Sequence, residues 1–403
     1  MDNRRYYGLD ALRGSMMMLG IILHGATFYL AAPPPAFPIP ADRNNSYVFD
    51  LVFHFIHSFR MPTFFVLAGF FTSLLVEKRG LWGTYKNRAA RVLAPLLAGL
   101  VTVLPLASLF AIDFMVSVRF GTHNLIPDRS QVRTLGEEML KAGIPADQPS
   151  LGHLWFLYYL CFFYLLIPAC QFLVKRSLPV EQGVRRLLVS PVALALFGLY
   201  AAATLWPFRG GQVHEGFVFL KPHLPSLVYY GSFFVFGYVF HYYRDVLQAF
   251  VRYAGRCAAL ALILFPLSLY ASHLENSASA PAFGIHLAAV IVHGFCTWAL
   301  IYAFVGGVLR FFDYESPWTL YASQSSYWVF LVHLPLVCFA AWWLVPYDIP
   351  AMLKFLAAVS FTTVVCFVTY HYWVQRTWVS QFLNGRRFDL KWPWLEQAPA
   401  IGS

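Results

Sequence analysis

The sequence predicts an all-α protein: a polytopic membrane bundle of about ten transmembrane helices with both termini in the cytoplasm. Three observations carry this. Hydrophobic residues make up 59% of the 403 positions and charged residues only 12%, against roughly 45–50% and about 25% in soluble domains. Mean hydropathy is +0.58, more apolar surface than a soluble core of this size can hide, while disorder would need the opposite composition. The apolar residues also gather into ten stretches of about the length that spans a bilayer.

The stretches follow in order, each bounded by charge or by a loop. The first, 8–31, follows Arg4 and Arg5. The second, 50–76, is long for one span, so 46–60 is expected to lie partly outside the membrane; it ends before Lys78 and Arg79. The third, 92–117, follows Lys86, Arg88 and Arg91. The fourth, 151–174, stops at Lys175 and Arg176, and the fifth, 187–206, starts after Arg185 and Arg186. The sixth, 224–243, reaches Arg244. The seventh, 257–272, follows Arg252 and Arg256 and is short, with Pro266 as a kink. The eighth, 283–309, ends at Arg310; the ninth and tenth, 319–345 and 351–374, precede Arg376, Arg386, Arg387 and Lys391.

One set of ends thus holds 19 Lys and Arg residues and the other 7, Arg43, Arg119, Arg129, Arg133, Lys141, Arg209 and Lys221. That bias places both termini in the cytoplasm and requires an even number of spans. It also accounts for the net charge of +10 without a nucleic-acid partner; an acidic cytoplasmic ligand is the other reading. The loop 118–150, with Asp128, Glu137, Glu138 and Asp147, is expected to form a short helix over the outer mouth. Residues 1–375 read as one membrane domain. Residues 376–403 read as a basic, aromatic tail (Trp378, Phe382, Phe388, Trp392, Trp394) suited to the inner headgroup region, or as a plain tail. No cleavable signal is apparent. The six cysteines all fall in apolar stretches without a CxxC pair and are expected to be buried small residues, with no disulfide framework and no metal.

Ionisable side chains inside spans mark candidate function. Asp10 and Arg13 are i, i+3 neighbours on the first span. Arg13 and His24 are eleven positions apart, about 20° from the same helix face and roughly 16 Å along the axis. The spacing suits a long, thin ligand anchored by an anion inside and reacting near the outside; the alternative is a boundary arginine and a packed histidine. Arg88 and Arg91 share a face at a helix start and suit phosphate, or only set orientation. Asp50, His54 and His57, with Arg60, offer a polar wall for a sugar or carboxylate, or a structural network. His153 and Trp155 open the fourth span and His333 lies within the ninth; His286, His293 and His371 read as packed. No G-x-S-x-G, Walker, HExxH or GxGxxG pattern occurs, which leaves serine-hydrolase, ATPase, zincin and dinucleotide readings without support.

These motifs together resemble the membrane acyltransferase-3 family over roughly residues 5–375. The family's first-span signature, a basic residue, ten positions, then His, is met by Arg13 and His24, with Asp10 before them; its RxxR pair is met by Arg88 and Arg91. MPTFFVLAGFF resembles its FFxLSGF segment, with Ala68 where Ser is usual, and SSYWVFLVHLP its late-span His-x-Pro motif, covering Ser325, Ser326, Tyr327, His333 and Pro335. GHLWFLYYL and FLVHLP point within the family to members that succinylate periplasmic glucans.

The resemblance implies an O-acyltransferase of the bacterial inner membrane, moving an acyl group from cytoplasmic acyl-CoA, with succinyl-CoA favoured, to a hydroxyl of a periplasmic glucan. Arg13, Arg88 and Arg91 would hold the CoA phosphates and Asp10 would orient Arg13. His24 would be the general base, or would carry the acyl group as a transient acyl-histidine. His153, Trp155, Tyr327 and His333 are candidate oxyanion donors, and the Asp50–Arg60 segment a seat for a succinyl carboxylate near the outer mouth. No SGNH hydrolase domain is attached, so the chain is expected to deliver the group alone. The rival readings are a transporter or exporter of an acidic small molecule or glycan, whose inverted repeats are not visible here, and an acetyltransferase of another envelope glycan.

Overall fold

The computed structural model describes residues 7–34, 40–142, 150–213, 221–277 and 282–393. Arg4, Arg5, Asp147 and Trp394, which enter the expectations above, lie outside them. The described residues are overwhelmingly α-helical, without a β-sheet.

The helices are α1 (Tyr7–Ala26), α2 (Tyr47–Arg88), α3 (Ala94–Val101), α4 (Val103–Phe120), α5 (Arg129–Lys141), α6 (Trp155–Tyr164), α7 (Ile167–Ser177), α8 (Glu181–Leu188), α9 (Pro191–Leu205), α10 (Leu224–Tyr242), α11 (Val246–Ser277), α12 (Phe283–Phe312), α13 (Pro317–Leu344), α14 (Ala351–Thr369) and α15 (Trp378–Asn384). Among the described residues seven helical segments are long and apolar enough to cross a membrane, and two bent pairs, α6–α7 (55°) and α8–α9 (83°), raise the number to nine where each pair counts as one span. α10, whose tyrosines, glycines and serines lower its hydropathy, takes the remaining position among the ten expected stretches.

Residues 47–60 open α2, which runs on from Tyr47 until φ 69° and ψ 175° at Gly80 interrupt it. One expectation about an element is corrected. The seventh span is not short: α11 is 32 residues long and continues through Pro266. Its first turns carry the exposed Arg252 and Arg256 beyond the apolar region, and those charges read in the sequence as a loop.

The ends bearing the basic residues lie together and form a basic face. There Gly8 N donates to Asp313 Oδ1 at 2.8 Å, joining the start of α1 to the end of α12, and Arg185 on α8 pairs with Asp245 at 2.7 Å before α11. On the opposite face, α5 is the short helix expected in the long loop. Asp128 caps it through Ser130 N at 2.7 Å, and a bidentate pair, Arg119 to Glu138 at 2.9 and 3.0 Å, docks it on α4. Hydrogen bonding to Arg119 holds the Glu138 carboxyl below its ordinary range. The fully buried Lys354 ammonium binds both Asp42 oxygens at 2.9 and 3.0 Å, tying α14 to the segment before α2.

The bundle packs through small residues as well as aromatics. α2 and α10 cross at Gly69 and Gly237: a Cβ on Gly69 would overlap the Phe234 carbonyl, and one on Gly237 the Val66 carbonyl. All six cysteines are free and five are buried, as expected.

Candidate active site

Arg13, Met17, Gly20 and His24 stand at i, i+4, i+7 and i+11 on α1 and therefore form one stripe. Arg13 and Met17 line a cavity of about 540 Å³ open toward the basic face. Its mouth carries Arg13, Arg79, Arg88, Arg91 and Arg386 with Asn87 and Asn384, and no carboxylate is among its described lining residues. Deeper, the wall is apolar: Leu67, Phe71, Leu160, then Phe64, Phe156 and Phe330.

Arg13 is fixed by a three-residue network. Its Nη2 donates to both the carbonyl oxygen and Oγ of Ser323 at 2.6 Å, and Ser323 Oγ donates to Asp10 Oδ1 at 2.9 Å. Arg13 and Asp10 themselves are 3.9 Å apart, so the orienting contact runs chiefly through Ser323.

Arg88 precedes, and Arg91 lies within, a π-helical turn, Ala89–Leu93, a feature frequent at functional sites. Pro95 has no N–H to give to the Arg91 carbonyl four residues earlier. The Tyr327 hydroxyl donates to that carbonyl instead, at 2.6 Å. Arg88 lies 5.5 Å over the Tyr164 ring and reaches the Phe71 carbonyl at 3.4 Å, and its buried Nε has no partner among the described residues. Arg91 donates through Nη1 to the carbonyls of Gln381 and Phe382 in α15.

The cavity does not extend to His24; its lining ends at Met17, Phe64, Phe156 and Phe330. Between that end and His24 sits Arg60. Its Nε donates to the Met16 carbonyl at 3.0 Å, and its guanidinium occupies the space that the missing Gly20 side chain leaves. The structure therefore places Arg60 inside the bundle, midway along α1, rather than at the outer mouth. Beyond it, His24 lies 5.2 Å from His333 between ring centroids, and His333 lies 5.3 Å from His153.

Two of these rings are locked by the backbone. Pro335 leaves the Leu331 carbonyl without its helical donor, and His153 Nε2–H fills that place at 3.0 Å. His333 Nδ1–H donates to the carbonyls of Val329 and Phe330 at 3.0 and 2.8 Å. In the neutral rings His153 Nδ1 and His333 Nε2 are then lone pairs, both buried and unpartnered among the described residues. His24 has no hydrogen bond to either ring nitrogen among the described residues, and it keeps some accessible surface. A third interior proline repeats the device: Pro62 frees the Ser58 carbonyl, which accepts Thr297 Oγ1 at 3.0 Å.

Restoring the helical donor should separate activity from stability. Pro335→Ala is expected to retain or raise the thermal midpoint, since α13 gains a backbone bond. It should lower turnover by about tenfold, the equivalent of one hydrogen bond of ~1.4 kcal/mol to His153. Unchanged turnover in the folded variant would remove the lock from the site.

The remaining sequence candidates have partners elsewhere. Asp50 accepts from Ala31 N and Ala32 N at 2.9 and 3.0 Å, capping the end of the first span. His54 Nδ1 meets Gln212 Oε1 at 3.1 Å and His57 Nε2–H donates to the Val213 carbonyl at 2.6 Å. Trp155 turns into an aromatic group with Tyr159 and Tyr230. His153, His333 and Tyr327 already donate to carbonyls, whereas Arg60 stands on the His24 side of α1 beside Gly20. Sequence reasoning missed Ser323, Arg79, Asn87 and Arg386 on the cavity side. Ser323 stands beside the quoted Ser325-Ser326 segment, so the serine-rich start of α13 was its one available signal.

Comparison with known proteins places the chain in a family. The acyltransferase domain of the acyltransferase-3 type matches residues 6–371. The glucans biosynthesis protein C of Salmonella gallinarum is 25% identical over 381 residues, 91% of each chain, and that of Salmonella paratyphi B is 25% identical over 380 residues with the same coverage. No solved structure matches the chain. The family match over almost the whole of a chain built from apolar, membrane-length helices identifies this protein as a multi-pass membrane acyltransferase belonging to the acyltransferase-3 family.

Proposed function

We propose that the protein transfers an acyl group from acyl-CoA, bound at the basic face, to a hydroxyl of a glucan on the opposite face of the bacterial cytoplasmic membrane. The observation that carries the reading is the shape and charge of the cavity. Five arginines without a carboxylate surround its mouth, and an aromatic throat points at Arg60 and the three imidazoles. That suits a polyphosphorylated head followed by a slender arm. The relatives' name supports a glucan acceptor, and the resemblance of GHLWFLYYL and FLVHLP supports succinyl as the group moved.

In this reading Arg13, held by Ser323 and Asp10, and Arg88, with its unpartnered Nε, bind phosphate oxygens. The arm lies along Met17 between Phe64 and Phe330, which brings the thioester carbonyl to Arg60. As the acceptor oxygen attacks, His24 takes its proton, Arg60 donates to the developing oxyanion, and the C–S bond breaks. The proton on His24 then passes to the departing thiolate, so ester and free CoA form without net proton release. Arg60 serves the carbonyl oxygen here, not a distal succinyl carboxylate, because of its depth beside Gly20.

The test is transfer in detergent. Purified protein is incubated with labelled succinyl-CoA or acetyl-CoA and a glucan oligosaccharide, and the product is weighed by mass spectrometry. Ester formation without a sealed membrane is expected and excludes a pure transporter; no ester with either donor overturns the reading. Arg88→Gln should raise the KM for the donor about tenfold, an effect that shrinks with added salt because the contact is ionic.

A further inference from the structure

The segment beyond residue 371, where the family match ends, returns to the cavity mouth, and of its residues only Arg386 has entered the proposed function, as one of five arginines there. Leu383, Asn384, Gly385 and Arg386 all line the cavity. Three contacts hold them there. Arg91 Nη1 donates to the Gln381 and Phe382 carbonyls, Asn384 Nδ2 donates to the Gln324 carbonyl on α13 at 3.3 Å, and Leu383 is buried in the main core. Gly385 makes the fit possible. It takes the left-handed conformation (φ 84°) that ends α15, and a Cβ there would stand 3.0 Å from Arg91 Nη2.

The turn delivers Arg386. Its carbonyl accepts Ser380 Oγ at 3.0 Å, which fixes the backbone, while its exposed guanidinium rests 4.7 Å over the Phe388 ring. It forms no ion pair among the described residues. Arg91, by contrast, has committed Nη1 to the segment. The two arginines of the cytoplasmic-side pair therefore differ in kind: Arg88 lines the cavity without touching α15 among the described contacts, and Arg91 clips α15 against the mouth.

We infer that residues 378–386 complete the donor site, with Arg386 binding the outermost phosphate of the nucleotide head, the ribose 3′-phosphate of CoA, and Arg91 acting as a positioning residue for that segment. The inference rests on the acyl-CoA reading and extends it. The outermost position follows from exposure: of these three mouth arginines Arg386 is exposed, whereas Arg13 and Arg88 are half-buried.

The experiment is titration calorimetry of the full chain in detergent with CoA and with dephospho-CoA, which lacks only that phosphate. Wild type is expected to prefer CoA by about tenfold, the worth of one charge-assisted contact. Arg386→Ala should lose the preference while keeping the wild-type affinity for dephospho-CoA and the wild-type thermal midpoint. Arg386→Lys should recover part of it, and Arg387→Ala, at the exposed neighbour outside the cavity, should retain it fully. Wild type that binds neither ligand overturns the acyl-CoA reading and this inference with it. Wild type that binds CoA while Arg386→Ala discriminates as before, or while Arg387→Ala loses as much, overturns only the inference.

Discussion

His24→Ala is expected to lower the rate of acyl transfer about a thousandfold, within the 10²–10⁴ range of a lost general base, while CoA affinity stays within about twofold. Both halves follow from where the ring sits. His24 lies seven residues past Met17, about 10 Å farther along α1, and it is not among the residues lining the cavity. Removing it leaves the arginine mouth untouched. Of the three clustered imidazoles it is also the one whose nitrogens have no backbone carbonyl. His153 and His333 each give their N–H to α13, so a proton arriving on either would create a cation locked in place beside the Arg60 guanidinium. His24 can take a proton and release it. His24→Gln separates chemistry from packing, because the amide keeps polarity and similar volume but cannot act as a base, and it should be as inactive as the alanine variant. Single-turnover rates with pre-bound acyl-CoA are the measurement. A folded His24→Ala protein with more than a tenth of wild-type turnover would move the proton transfer to another residue.

The sequence carried the local part of this site and little of the long-range part. The stripe on α1 was legible because one helix and a 3.6-residue period fix the relation of Arg13 to His24. The basic face was legible because charge at span ends is set by the membrane interface, not by tertiary packing. The proline pairings were not legible. Pro335 lies within α13, but the ring that satisfies its orphaned carbonyl is 178 residues away in sequence from Leu331, and Tyr327 meets Arg91 across 236. For the same reason Arg60 read as an outer residue: its distance from the end of α2 is local, whereas the groove that draws it inward is made by Gly20 on another helix. Asp50, His54 and His57 do share a helix face, as their spacing implies, yet their partners divide between the end of the first span and residues 212–213. The length of α11 was obscured by Arg252 and Arg256, exposed charges that continue a helix beyond the apolar region.

Gly69→Val is expected to abolish the folded protein rather than to impair catalysis within it. Gly69 belongs to the MPTFFVLAGFF segment, whose neighbour Ala68 and preceding Phe64 line the cavity, so a motif argument alone would place it in the reaction. Its geometry places it in packing. α2 and α10 touch backbone to backbone at Gly69 and Gly237, each glycine facing the other helix's carbonyl. A β-branched side chain at that crossing meets main-chain atoms of a helix, not the movable end of a side chain, so relief requires the helices to separate. Separation would also pull Phe65 from Phe163 and Tyr230, whose rings lie 5.1 Å from it. Overpacking against side chains already costs about 1–3 kcal/mol, and a clash with backbone exceeds that range, against a total stability of about 5–15 kcal/mol. Fluorescence-detected size exclusion in detergent should show aggregated or absent Gly69→Val, with Ala68→Ser monodisperse and active because the hydroxyl enters open cavity space. A monodisperse, thermally normal but inactive Gly69→Val would assign the glycine to the chemistry, and the α2–α10 crossing would then lose its place as the support on which the cavity wall is built.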